Sequence, residues 1–196
     1  MRNKVFMGMA AIAMVVVLAS CGKKPQAEID AANAAIEAAK TAEAPVYLPT
    51  EFAAVQDSMS AINAEIQVQE SKMFKKFGPV KVKLEQTTAL ANQVAANAAV
   101  KKEEVKKEVE ASIASLKTTI EDNKTLITKA PRGKEGAAVL EQIKTEMATI
   151  ETAAADAQAL YDKGTYMDAL NKVKASNERA VSINTELKDA IAKVRR

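Results

Sequence analysis

Residues 80–130 read VKVKLEQTTALANQVAANAAVKKEEVKKEVEASIASLKTTIEDNKTLITKA. The run holds neither glycine nor proline. Apolar residues recur along it every three or four positions: Val80, Leu84, Leu90, Val94 and Ala98, then Val105, Val109, Ile113, Leu116, Ile120 and Ile127. That spacing keeps one face of a helix apolar. It predicts a single helix of about 50 residues, roughly 75 Å long at 1.5 Å per residue. Pro131 and Gly133 stop it, because proline lacks the amide hydrogen a helix needs and glycine accepts a left-handed cap.

The flanking segments follow the same period. Gln26 to about Glu43 carries Ile29, Ala32, Ile36 and Ala39 on one face. Pro45 and Pro49 then bracket a loop holding Tyr47 and Leu48, and Thr50 is placed to N-cap a second helix. Its stripe is Phe52, Val55, Met59, Ile62, Ile66, Met73 and Phe77, with Gly78-Pro79 as its end. Beyond the long helix, residues 134–162 are striped by Leu140, Ile143, Met147, Ile150 and Leu160. Gly164 turns the chain into a last helix bearing Tyr166, Ala169, Leu170, Val173, Val181, Ile183, Leu187, Ile191 and Val194.

The punctuation repeats. Ala44-Pro45 recurs as Ala130-Pro131, Gly78 as Gly164, and Leu84 as Leu170. Phe52, Val55, Met59 and Ile62 correspond to Leu140, Ile143, Met147 and Ile150, two residues out of step with the punctuation, which a small shift inside one helix reconciles. The expected fold is therefore all-α: two stacked antiparallel three-helix units sharing one long central helix over about residues 80–130. Unit one spans 26–104 and unit two 105–196. The stretch Lys101–Glu110 is nearly all charged, and it reads as a solvent-bridging waist between the units. Across it the Tyr47-Leu48 loop and the Tyr161/Tyr166 turn face one another. Either they form a groove for a partner, or each tyrosine caps its own bundle.

Composition narrows the chemistry. There is one cysteine, no histidine and no tryptophan. Without histidine the commonest general base and metal ligand are missing. The six glycines form no phosphate-cradling loop, and no serine or threonine has an imidazole to activate it. The expectation is a protein that is not an enzyme, with no metal, no small-molecule substrate and no nucleic acid.

The N-terminus adds a location. Arg2 and Lys4 precede an apolar run from Val5 to Leu18, and small residues follow, the pattern of a secretory signal. The run is short of the roughly 20 residues of a membrane span. Leu18-Ala19-Ser20-Cys21 resembles the lipobox of bacterial lipoproteins; an ordinary signal with a chance cysteine is the alternative. The resemblance implies removal of residues 1–20, a diacylglycerol and an N-acyl chain on Cys21, and a tether over 21–25. With Arg2 and Lys4 removed from 28 basic residues, against 25 acidic, the side chains sum to +1. Gly22, in place of an aspartate after the cysteine, implies sorting to the periplasmic leaflet of an outer membrane. The chain as a whole is similar to Ala-rich helical repeats of bacterial lipoproteins whose domains carry no assigned function. Ala159-Leu160-Tyr161 with Gly164-Thr165-Tyr166 and Ala169-Leu170 resembles one tetratricopeptide hairpin, although unit one has Pro79-Val80 where Thr165-Tyr166 stand.

Two basic ends complete the reading. Lys72, Phe74, Lys75, Lys76 and Phe77 gather at the membrane-proximal end with Lys23, Lys24, Lys81 and Lys83. They serve either to meet anionic lipid, worth on the order of 1 kcal/mol per lysine, or only to plug the bundle and solvate it. Arg132, Lys134, Lys193, Arg195 and Arg196, with Lys129, gather at the distal tip. They serve either to contact the cell wall or as cations at helix C-termini. The expected function is a lipid-anchored helical scaffold or adaptor for another envelope protein. The alternatives are a spacer from membrane to wall, and self-association through the long helix.

Overall fold

The computed structural model describes residues 22–131 and 134–194. Over them the chain is all-α and has no strand. Its helices are α1 Gln26–Thr41, α2 Ala44–Tyr47, α3 Pro49–Glu70, α4 Gly78–Lys129, α5 Lys134–Asp162 and α6 Tyr166–Val194. α4 has 52 residues, about 78 Å at 1.5 Å per residue. Ala130 leaves it with extended backbone, φ −69° and ψ 146°, because the ring of Pro131 excludes the helical conformation one residue earlier.

Cross-helix pairs set the directions. Glu28 meets Lys81 at 2.6 Å and Glu43 meets Lys102 at 2.6 Å, so α1 runs parallel to the first half of α4. Glu65, near the end of α3, pairs with Lys83 near the start of α4, so α3 runs back. Glu108 meets Lys174 at 2.6 Å and Asn177 donates to the Ser112 carbonyl at 3.1 Å, so α6 is parallel to the second half of α4. Asp156 to Lys172 at 2.7 Å and Lys124 to Glu151 at 3.2 Å turn α5 against both. Most of these partners are at the surface, where an ion pair contributes about 0–1 kcal/mol. They report direction; burial holds the helices.

Three apolar clusters supply that burial. At the N-terminal end Ile29, Ala32, Met59, Ile62, Ile66, Phe77, Val80 and Leu84 pack together. Above them lie Ala35, Ala39, Ala44, Phe52, Val55, Ala91, Val94 and Ala98, with Ile36 touching both groups. The third cluster begins at Val105 and Val109 and runs through Ile113, Leu116 and Ile120 to α5 and α6. Corresponding positions are buried in both halves. Phe52, Val55, Met59, Ile62 and Ile66 of α3 match Leu140, Ile143, Met147, Ile150 and Ala154 of α5, and all ten are core residues. Alanine supplies much of the α1–α4 contact, and its small side chain lets those helices approach closely.

The structure departs from expectation in several places. Residues 44–47 form the short helix α2, entered through Glu43 in the left-handed region at φ 60°. Thr50 caps nothing: α3 begins at Pro49, whose fixed φ and missing N–H suit a first helical position. α3 ends at Glu70, before Met73, which is 90% exposed. Gly78 has no positive φ and opens α4 instead of capping α3, with Pro79 in the first turn. Leu90 and Val181 face solvent, while Ala91 and Ala180 beside them are buried. Gly78 and Gly164 are not equivalent in the fold: Gly78 opens α4, whereas Gly164 lies in the turn before α6, and the two helices start 88 residues apart, the offset of the α3 and α5 cores.

Candidate functional site

The waist is built from α2, the middle of α4 and the α5–α6 turn. The charged stretch 101–110 is not polar all round, because Val105 and Val109 sit at the four-residue spacing and are 3% and 0% exposed. They carry the core through the waist, so no solvent-bridging gap separates the units. Tyr47 reaches over from the first unit and is 6% exposed within the second unit's cluster. It is the single residue before Val105 in that cluster. Leu48 is half-buried against the first unit's cluster.

Tyr161 and Tyr166 flank Gly164, whose φ of 81° only glycine adopts without cost. Their rings lie 5.2 Å apart at 51°. The Tyr161 hydroxyl donates to the Glu110 carboxylate. Lys102 and Lys106 stand over the Tyr166 ring, with Nζ at 6.0 and 5.9 Å from its centroid, at the outer limit of a cation–π contact. The structure thus brings Tyr47, Tyr161 and Tyr166 to one place, as their spacing suggested. It spends them on packing, however. Tyr47 is core, Tyr161 is tied to Glu110, and Tyr166 lies half-buried under two lysines.

The electrostatics of the waist hold protons in place. Lys102 donates to Glu43 at 2.6 Å, and that hydrogen bond raises the ammonium pKa against the opposing effect of burial. Burial raises the Tyr47 phenol first and the Glu43 charge second. The hydrogen bond to Glu110 raises Tyr161 to about 12. Each shift favours the form already present at neutral pH, the opposite of what a general base or an activated nucleophile needs. Among the described residues no group of three or more acidic, histidine or cysteine side chains is disposed to hold a metal.

A polar element that the sequence reading missed lies in the second unit. Asn123 is wholly buried. Its amide donates to the Ala180 carbonyl at 2.8 Å and approaches the Met147 sulfur at 3.6 Å. Its oxygen accepts from Asn184 at 2.7 Å. Asn177, two turns before Asn184 along α6, has a buried oxygen with no partner among the described residues. The signal was legible, since Asn123 sits three residues after Ile120 and four before Ile127, on the apolar stripe itself.

A surface groove of about 540 Å³ runs between α4 and α5 over Ile120, Ala154 and Ala155. Lys124 spans it to Glu151 at 3.2 Å, and Lys117 reaches Gln158 at 3.2 Å. These ties strap the groove and would have to open for a partner helix to enter.

The two basic ends differ. At the N-terminal end Lys24 pairs with Glu70 at 3.1 Å, which sets the segment after Cys21 beside the α3–α4 turn. Phe77 is 3% exposed and plugs the bundle, whereas Phe74 is 81% exposed, so the expected Phe74/Phe77 pair is divided between core and solvent. Lys72, Lys75 and Lys76 are exposed around Phe74. At the distal end Lys193 is exposed near the end of α6. Arg132, Arg195, Arg196 and the Lys134 side chain lie outside the described residues, as does Cys21. No helix among the described residues is long and apolar enough to cross a membrane. Comparison with known proteins finds no match among protein-family models, curated proteins or solved structures.

Proposed function

We propose that this chain is a lipid-anchored, non-catalytic scaffold of a bacterial envelope, presenting a helical surface to another envelope protein. The observation that carries the reading is the reach of α4 combined with the position of the lipobox cysteine close to one end of it. The helix extends about 78 Å from the end where Lys24 pairs with Glu70, and only two residues separate Lys24 from the lipobox cysteine. An acyl group on Cys21 would therefore hold one end of the rod at the bilayer and project the other away from it. The proton-retaining waist supports a non-catalytic role. The exposed valines Val139 and Val181 give the projecting half apolar points of contact.

Intact-mass analysis of the protein made from the full chain in a bacterial host tests the anchor. The expected result is loss of residues 1–20, a mass increase for three fatty acyl chains on Cys21, and membrane sedimentation that Cys21→Ser abolishes. An unmodified Cys21, or membrane association indifferent to Cys21→Ser, refutes the anchor. Photocrosslinkers at positions 139 and 181 test the scaffold. They should capture one envelope protein, whereas an equivalent probe at buried position 183 should capture none. Identical, diffuse products from all three positions refute it.

A further inference from the structure

The two units make the same connection in different ways. In the second, α5 passes to α6 through residues 163–165 around Gly164. In the first, α3 passes to α4 through residues 71–77, Ser-Lys-Met-Phe-Lys-Lys-Phe. The fold needs only the shorter turn, and Phe77 alone of the longer one enters the core. What remains is Lys72-Met73-Phe74-Lys75-Lys76. Met73 and Phe74, at 90% and 81% exposure, are by far the most exposed large apolar side chains described. Elsewhere such residues are valines and one leucine, none above 60%.

The charges point the same way. Three lysines near this end are matched: Lys24 by Glu70, Lys81 by Glu28 and Lys83 by Glu65. Lys72, Lys75 and Lys76, together with Lys23, form no ion pair among the described residues, and the turn contains no acid. Unmatched cations framing two solvent-facing apolar side chains complement an anionic bilayer surface. The lysines would meet headgroup phosphates while Met73 and Phe74 enter the acyl boundary.

We infer that the 71–76 turn is a membrane-interface contact for anionic phospholipid, inserting Met73 and Phe74 between headgroups held by Lys72, Lys75 and Lys76. It deepens the lipid-anchored reading and rests on it only for the presence of a bilayer at this end. An acyl group is a single flexible point of attachment. A second contact beside it fixes the tilt of the rod, and two weak membrane signals together hold far better than one.

The three apolar clusters draw on residues from Ile29 to Leu187 only, so a chain starting at Gly22 keeps the whole core and carries no acyl group. Its co-sedimentation with vesicles of phosphatidylcholine containing phosphatidylglycerol, at millimolar lipid and low salt, is the test. Binding should exceed that to phosphatidylcholine alone and fall as salt rises. Lys72→Ala, Lys75→Ala and Lys76→Ala together should weaken it about 100-fold, at roughly five-fold per lysine. Met73→Ser with Phe74→Ser should weaken it at least ten-fold, with helical circular dichroism unchanged in both variants. No preference for the anionic vesicles, or equal binding by all three proteins, overturns the inference. So does a serine variant that binds vesicles normally but loses a crosslink to a protein, which would make the turn a protein contact. An unacylated Cys21 in the mass analysis refutes the anchor while leaving the vesicle result standing.

Discussion

Replacing Tyr47 by alanine should loosen the joint between the two helical units. The ring belongs to α2, in the first half of the chain, yet it is 6% exposed in the cluster that starts at Val105. An aromatic side chain buries about 150–250 Å², which at ~25 cal/mol/Å² amounts to about 4–6 kcal/mol. That figure is an upper bound, because an unfolded chain already shields part of its surface. A loss of about 3–5 kcal/mol follows, the range measured for removing large buried rings. No hydrogen bond of the Tyr47 hydroxyl occurs among the described residues, so Tyr47→Phe should cost under ~1 kcal/mol. Urea unfolding of the chain from Gly22, followed by circular dichroism, measures both. Amide exchange locates the effect, which should speed up in α2 and in residues 99–104, between the cores, before it does in α5 or α6. A cost below about 1 kcal/mol for Tyr47→Ala, or equal costs for Ala and Phe, would show that the ring does not join the units and that this reasoning is wrong.

Three further outcomes follow from the same structure. Asn123→Leu should destabilise by about 1–3 kcal/mol by leaving the half-buried Asn184 amide without its acceptor, and adding Asn184→Leu should recover most of it in a double-mutant cycle. Gly164→Ala should cost about 1–2 kcal/mol because φ there is 81°, whereas Gly78→Ala, where a Cβ meets open space, should be neutral or stabilise by up to ~1 kcal/mol; thermal unfolding separates the two. Tyr161 is raised from 10.0 to about 12 by its hydrogen bond to Glu110, so the stabilisation it gives is complete below pH 10 and lost as pH rises through 12. Phenolate absorbance should show a late-titrating tyrosine that Tyr161→Phe removes.

Much of this fold was legible because its helices are long and its breakers few. α4, the limits of α5 and the Gly164 turn follow directly from apolar period and punctuation. Reading failed where size, not polarity, chose the face. Ala91 and Ala180 lie inside, displacing the larger Leu90 and Val181 next to them, because the helices approach too closely for a bulky side chain. Met73 extended the α3 stripe on paper, but the chain had already left the helix at Glu70. The charged waist hid Val105 and Val109, two valines among eight charged residues, and these carry the core across. Of the candidate site, the meeting of Tyr47 with Tyr161 and Tyr166 was foreseeable from topology. Their burial was not, since it depends on how deeply α2 settles against α4, and no local pattern encodes that.

The shared helix also makes the architecture open to growth by repetition. α6 stands to the second unit as the first half of α4 stands to the first. A further copy joined in register to α6 would prolong it just as the second unit prolongs α4, with no new kind of junction. Duplication of one such segment would lengthen the molecule by a fixed step, and deletion would shorten it by the same amount. Distance from the N-terminal end is thus a quantity that selection can adjust in whole units, leaving the contacts within each unit untouched.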